Sequence, residues 1–360
     1  MVGLSRIDID QLPPIEVYVT FASIYMQTGT YDLASTYFEK ALDVCELDDK
    51  PDLFLDLSLA KQKLRDFDAA LGVLEKALAT FPKHDAILYE LGFLYDRLGN
   101  YEQAIETYLR YIEENPYANM AWYNLGNAYS KIEHFEKAIW AYDYSILVFD
   151  EFSPAHFNMG NAYLSSGKYH QAIDCFKKVL SIDGDDPMAL CYLGESHEQL
   201  KEYDIAEHYY HLCLSLDPKV SEAWLGLGII SDIKGNTVEA IKLIQKALEY
   251  DSENASNHLV LANAYHKCEL RSEAEEHYLE SIELDPEDAE CLQDFVFFLL
   301  EESPINALSF MENFQLDIEN NPYFMLMYVH VLVHAMRMED AVLLFSSLVM
   351  VDREQALKII

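Results

Sequence analysis

Two histidine pairs are the residues of this sequence whose type and spacing most resemble a chemical device. His330 and His334 stand four apart, the separation that places two side chains on one helical face, as zinc ligands can be placed. The intervening Val331, Leu332 and Val333 supply no glutamate for an H-E-x-x-H base, and no third ligand is in view, so no metal is expected. His208 and His211 fall on a different helix and are read as surface residues. The sequence contains no G-x-x-x-x-G-K-[ST] loop, no strand-associated G-x-G-x-x-G and no G-x-S-x-G elbow. Carboxylates abound, but no nucleophile–base constellation accompanies them. The expectation is a non-enzymatic chain without a cofactor.

Charge narrows the partners. Lys and Arg total 25 against 62 Asp and Glu, a net charge of −37. Nucleic acid and anionic membrane bind through Lys and Arg meeting phosphates, so neither is expected. A basic peptide or basic protein is the natural complement, although the same charge also serves to keep a long apolar array in solution. The six cysteines (Cys45, Cys175, Cys191, Cys213, Cys268, Cys291) show no C-x-x-C pair and scatter as small buried hydrophobes do. The N-terminus, MVGLSRIDIDQLPP, lacks an apolar signal core. The most apolar stretch, Tyr323 to Met336, is too short to span a bilayer. A soluble, cytoplasmic protein is expected.

The elements that position these residues repeat. Segment 121–129 (AWYNLGNAY) returns as 155–163 (AHFNMGNAY), 189–197 (ALCYLGESH) and 223–231 (AWLGLGIIS), each step 34 residues. A period in that range signals a stacked array rather than a closed globule. One alanine per unit fixes the frame: Ala34, Ala70, Ala104, Ala138, Ala172, Ala206, Ala240, Ala274, Ala307 and Ala341. With it at position 20, the units run 15–48, 51–84, 85–118, 119–152, 153–186, 187–220, 221–254, 255–288, 289–321 and 322–355. Residues 1–14 form a lead-in and 356–360 begin a further helix or a truncated cap. Apolar residues at positions 4, 7, 8 and 11, then 17, 20, 24 and 27, have helical period. Gly29, Gly99, Gly167 and Gly235 share position 15, where a helix end needs a left-handed residue. Pro82, Pro116, Pro218 and Pro286 share position 32, just before the next helix. Small residues at 8 and 20 predict close approach of the two helices, with large residues at 4, 11 and 24 filling the flanks.

Trp122, Leu125, Gly126, Tyr129, Ala138 and Tyr142, with Phe176 and Pro218 elsewhere, resemble the tetratricopeptide repeat signature over residues 15–355. The resemblance implies an all-α fold, a right-handed α-solenoid superhelix of about ten helix-turn-helix repeats. It also implies that positions 2, 5, 6, 9, 12 and 13 face a concave groove for extended peptides or partner helices. The candidate groove residues are then Tyr89, Phe93, Tyr123, Asn124, Asn127, Phe157, Asn158, Asn161, Tyr192 and Glu195, and His330 and His334 also face it. Asparagine amides both donate to and accept from a peptide backbone, and aromatics add rigid apolar contact. Such asparagines also hydrogen-bond neighbouring units. Glu90, Asp96, Glu195, Glu198, Glu222 and Asp232 favour a Lys- or Arg-containing ligand. The carboxylate clamp of heat-shock co-chaperones is not matched. Its window holds Tyr123, Asn127, Asn158, Met188 and Tyr192, with the asparagines present and the cations missing.

Departures cluster at the end. Val296 and Val329 replace the small residue at position 8, Pro304 sits near a turn, and the tenth unit is unusually apolar. A solenoid end ordinarily carries a polar face, so either the natural chain continues past Ile360 or this end packs on something. The leading expectation is a protein-interaction scaffold or adaptor. The alternatives are a structural subunit or homodimer built through residues 322–360, and a regulatory array of a longer protein whose catalytic domain lies elsewhere.

Overall fold

The computed structural model describes residues 14–44, 50–313 and 322–351. Cys45, residues 1–13 and the expected further helix at 356–360 lie outside them. The described residues are α-helical throughout, in hairpins joined by short connectors. None of these helices is long and apolar enough to cross a membrane. The chain divides into two compact bodies, one ending at Gly184 and the other beginning at Asp185.

The first body holds α1 (Pro14–Gln27), α2 (Tyr31–Asp43), α3 (Pro51–Lys63), α4 (Phe67–Thr80) and α5 (Asp85–Arg97). It continues with α6 (Tyr101–Glu114), α7 (Asn119–Lys131), α8 (Phe135–Val148), α9 (Ser153–Ser165) and α10 (Tyr169–Asp183). The second body holds α11 (Pro187–Gln199), α12 (Tyr203–Leu216), α13 (Ser221–Ile233), α14 (Thr237–Tyr250) and α15 (Ala255–Lys267). It ends with α16 (Arg271–Leu284), α17 (Ala289–Glu302), α18 (Pro304–Asn313), α19 (Pro322–His334) and α20 (Met338–Val351). Within each body, each odd-numbered helix packs on the even-numbered partner that follows it, and that partner packs in turn on the next odd-numbered helix.

Packing inside a hairpin rests on small against large. All ten position-20 alanines are buried. A Cβ built on Gly126 would lie 2.5 Å from the Tyr142 ring, and one on Gly160 would lie 2.7 Å from Phe176. Glycine at position 8 is thus what lets an aromatic at position 24 cross the partner helix. Gly228 makes the same approach to Ile244, at 2.6 Å. Tyr210 is flanked twice, by Gly194 of its own repeat and Gly226 of the next.

The hairpin turn has a fixed geometry. Gly29, Gly99, Gly167 and Gly235 all have positive φ, between 71° and 83°. Arg65, Glu133, Lys201, Glu269 and Met336 occupy the same position at φ 58–62°, without glycine's freedom. The bond from the residue after the turn back to position 11 closes each helix, as in Asn100 N to Tyr95 O at 2.8 Å. The ninth repeat departs: α17 runs on to Glu302, Ser303 is extended at φ −159°, and Pro304 opens α18 directly. Helix starts are secured by Asp66, Asp186, Asn254 and Asp288, whose side chains accept from first-turn amides.

Candidate functional site

In the first body the predicted groove residues meet as a hydrogen-bonded ladder between α5, α7 and α9. Asn127 Oδ1 accepts from the Tyr142 hydroxyl at 2.8 Å and from Asn158 Nδ2 at 2.8 Å. Asn158 Nδ2 also donates to Tyr123 Oη at 3.1 Å, and Asn124 Nδ2 to Tyr89 Oη at 3.4 Å. The asparagine at position 6 therefore reaches back to the tyrosine at position 5 of the preceding repeat. Part of the amide capacity expected to read a ligand is used in joining neighbouring repeats.

Asn161 is placed differently. Its Oδ1 is sealed from solvent without a hydrogen-bond partner. With Asn127, Asn158, Asp96, Lys131 and Tyr142 it lines a cavity of about 410 Å³. Burial raises the Asp96 carboxyl above its ordinary range, and Lys131 opposes that shift. Tyr89, Phe93 and Phe157 are half-buried. Tyr89 stands edge-on to Tyr108 at 6.4 Å and Phe157 edge-on to Phe176 at 5.7 Å, so these rings also pack their own hairpins.

In the second body Tyr192 and Glu195 lie on α11. Glu195, Glu198, Tyr210 and Glu222 line a cavity of about 310 Å³ whose apolar wall is Leu225 and Ile229. Tyr210 Oη donates to Glu198 Oε2 at 2.7 Å. Burial, then the charges of Glu198 and Glu222, push the Glu195 carboxyl up to about 7. Burial also raises Glu198, with the Tyr210 bond opposing. Among the described residues, none of the ion pairs formed by lysine or arginine involves these three glutamates.

Asp232 corrects one expectation. Lys267 Nζ of the next repeat contacts its carboxylate at 2.5 Å and Thr237 Oγ1 donates to it at 2.8 Å, so this acid is already matched within the chain. His330 and His334 are exposed on α19. His330 stands edge-on to Phe297 at 5.8 Å, and His334 Nδ1 donates to the His330 carbonyl at 2.9 Å. His208 and His211 are exposed. Of the cysteines, Cys175, Cys191, Cys213 and Cys291 are buried and Cys268 is half-buried.

Sequence reasoning passed over the tyrosines at position 24 as ligand-face residues. Tyr142 and Tyr210 reach through the hairpin to Asn127 and Glu198, and the glycine opposite each ring was the available signal. It also passed over His258 and His277, which meet at 3.0 Å; a histidine at position 4, where Trp122 and Trp224 stand, was the signal there.

Models of the tetratricopeptide repeat match residues 15–83, 55–119, 94–154, 153–186, 189–220 and 258–290. The chain is 32% identical over 93 residues to the uncharacterized protein ycf37 of Guillardia theta, a match covering 25% of this chain and 52% of that protein. The chain thus spans about half the length of this curated relative. Among solved structures, a tetratricopeptide repeat protein from Parabacteroides merdae is similar at TM-score 0.53 and 17% identity, covering 70% of this chain and 98% of that one. The APC/C hetero-tetramer Cut9–Hcn1 is similar at TM-score 0.54 and 12% identity, covering 91% of this chain and 96% of that one. Identities this low establish the fold alone.

Proposed function

The chain belongs to the tetratricopeptide repeat family, and from that premise we propose a non-enzymatic scaffold that holds a peptide or protein segment rich in Lys or Arg. The observation that carries this reading is the cavity of Glu195, Glu198 and Glu222. Two half-buried carboxylates, Glu195 and Glu198, and the exposed Glu222 stand together without a lysine or arginine of the chain, beside Leu225 and Ile229. An aliphatic stem against that wall, ending in an ammonium or guanidinium, satisfies both halves of the cavity. In the first body, the half-buried Phe93 and Phe157 add apolar surface for a bound segment. The buried, unbridged thiols fit a reducing, cytoplasmic setting.

A peptide array of matched basic, neutral and acidic sequences tests the proposal. Selective retention of basic sequences supports it; equal retention of acidic ones contradicts it. A second reading, a structural subunit or homodimer through the last repeat, is favoured by one observation. On α19 and α20 and the turn between them, Met336 is 84% exposed, Val342 60% and Leu343 68%. Light-scattering mass tests it, since a monomer at all concentrations removes the homodimer.

A further inference from the structure

The first turn of α15 borders the acidic cavity and also runs into a histidine pair. Asn254, Ser256 and Asn257 line the cavity, and the next residue, His258, is buried. His258 Nε2 lies 3.2 Å from the carbonyl oxygen of Ser252. A carbonyl only accepts, so Nε2 carries the proton of His258 and Nδ1 is left as an acceptor. Facing it at 3.0 Å is Nδ1 of His277 on α16, which must be the donor. One proton bridges the two rings, and His277 is stacked on Tyr265 at 5.6 Å.

Other repeats make the same anchor without the second imidazole. Trp122 Nε1 donates to Pro116 O and Trp224 Nε1 to Pro218 O, each at 2.9 Å, and His156 Nε2 meets Asp150 O at 2.8 Å. At the place of His277 those repeats have Ala141, Leu243 and Cys175.

We infer that the His258–His277 pair is a proton-operated latch on the first turn of α15, and through that turn on the shape of the acidic cavity. The coupling to ligand rests on the reading of that cavity as a cation site; the latch itself does not. A first added proton settles on Nε2 of His277 and leaves the bridge intact. A second has only Nδ1 of His258 to bind, and two N–H groups then face each other across 3.0 Å. His258 must turn away, releasing Ser252.

The groups acting on His277 are burial and His258, which lower its pKa, and Glu276 and Glu280 on its own helix, which oppose them. From α15 comes the Tyr265 ring, itself held by Gln245 of α14 at 2.9 Å. Among the acids of α17, Glu301 binds His266 and Asp294 binds Asn263. A histidine whose pKa falls on folding contributes stability that is present above the unfolded value of 6.5 and lost as pH drops through the folded value. The bridge needs one unprotonated ring nitrogen between the two imidazoles, so it is closed at neutral pH and breaks in acid only once both rings carry a charge.

Hydrogen–deuterium exchange on the full chain at pH 7.5 and 5.0, corrected for intrinsic rates, tests this without any ligand. Protection over residues 252–284 should fall severalfold in acid for the wild type, about the effect of losing one buried hydrogen bond. It should not fall in His277→Leu, which carries the residue found there in the seventh repeat. If that variant is loosened at both pH values, His258→Trp combined with His277→Leu restores the anchor of the fourth and seventh repeats and should be protected at both. The same acid-dependent loss in wild type and in both variants overturns the latch. Failure of basic peptides to bind at either pH overturns the cavity reading instead.

Discussion

The hydroxyl of Tyr142 donates to Asn127 Oδ1 at 2.8 Å. One repeat earlier, the equivalent Tyr108 is fully buried and its hydroxyl has no partner, because Phe93 stands where Asn127 does. Tyr142→Phe should therefore cost about 1 kcal/mol, the worth of a hydrogen bond whose acceptor stays behind. Tyr108→Phe should cost nothing or stabilise slightly, since it removes a buried group already left unpaired. Chemical denaturation of the two variants side by side checks this; equal losses would show that the ladder contributes nothing.

Two glycines should respond oppositely to a methyl group. Gly126→Ala drives a Cβ into the Tyr142 ring and should cost about 1–3 kcal/mol. Gly72, inside α4, has open space at that position, and Gly72→Ala should stabilise by about 0.5–1 kcal/mol through helix propensity. Thermal melts of the pair report the sign directly.

The hairpin turn of the sixth repeat uses Lys201 at φ 61°, where Gly99, Gly167 and Gly235 serve elsewhere. A side chain in that region is strained, so Lys201→Gly should gain about 0.5–1 kcal/mol after glycine's larger unfolded-state entropy is counted. Gly99→Ala should lose a similar amount. A loss in Lys201→Gly would mean that its side chain does more than occupy the turn.

Most of the fold was legible because a stacked array writes its packing rule once per repeat. Ala138 and Gly126 announced the close helix crossing, and Gly99 announced the turn, all before any coordinates. Glu133 and Lys201 adopt the same turn with no sequence mark, since the helix-closing bonds impose it whatever residue stands there. The candidate groove was legible as a set of positions but not as a set of partners. Whether Asn158 faces a ligand or Tyr123 depends on distances between repeats, which the periodicity of one repeat does not encode. Asp232 shows the same limit: its match, Lys267, lies one full repeat away. The pairing of His258 with His277 likewise depends on which residue happens to lie across the hairpin.

Glu195 gives a pH prediction with a definite sign. Its carboxyl is pushed up to about 7, above the value of 4.5 it has when unfolded. A raised acid contributes stability that is present below the unfolded value and lost as pH rises through the folded one. Glu195→Gln should thus match the wild type near pH 4 and be about 1–3 kcal/mol more stable at pH 8. Denaturation midpoints at the two pH values check it; a gap that does not widen with pH would contradict the placement of Glu195 beside Glu198 and Glu222.

The most direct measurement of the central claim is the affinity of a fluorescent Lys- and Arg-containing peptide for the wild type and for Glu195→Gln with Glu222→Gln. That variant leaves the Tyr210–Glu198 bond in place. The wild type should bind at low salt, with affinity falling as salt rises, and the variant should bind at least roughly tenfold more weakly, the loss of about 1.4 kcal/mol. Equal affinity for both proteins, or tighter binding of an acidic peptide of the same length, would contradict the account.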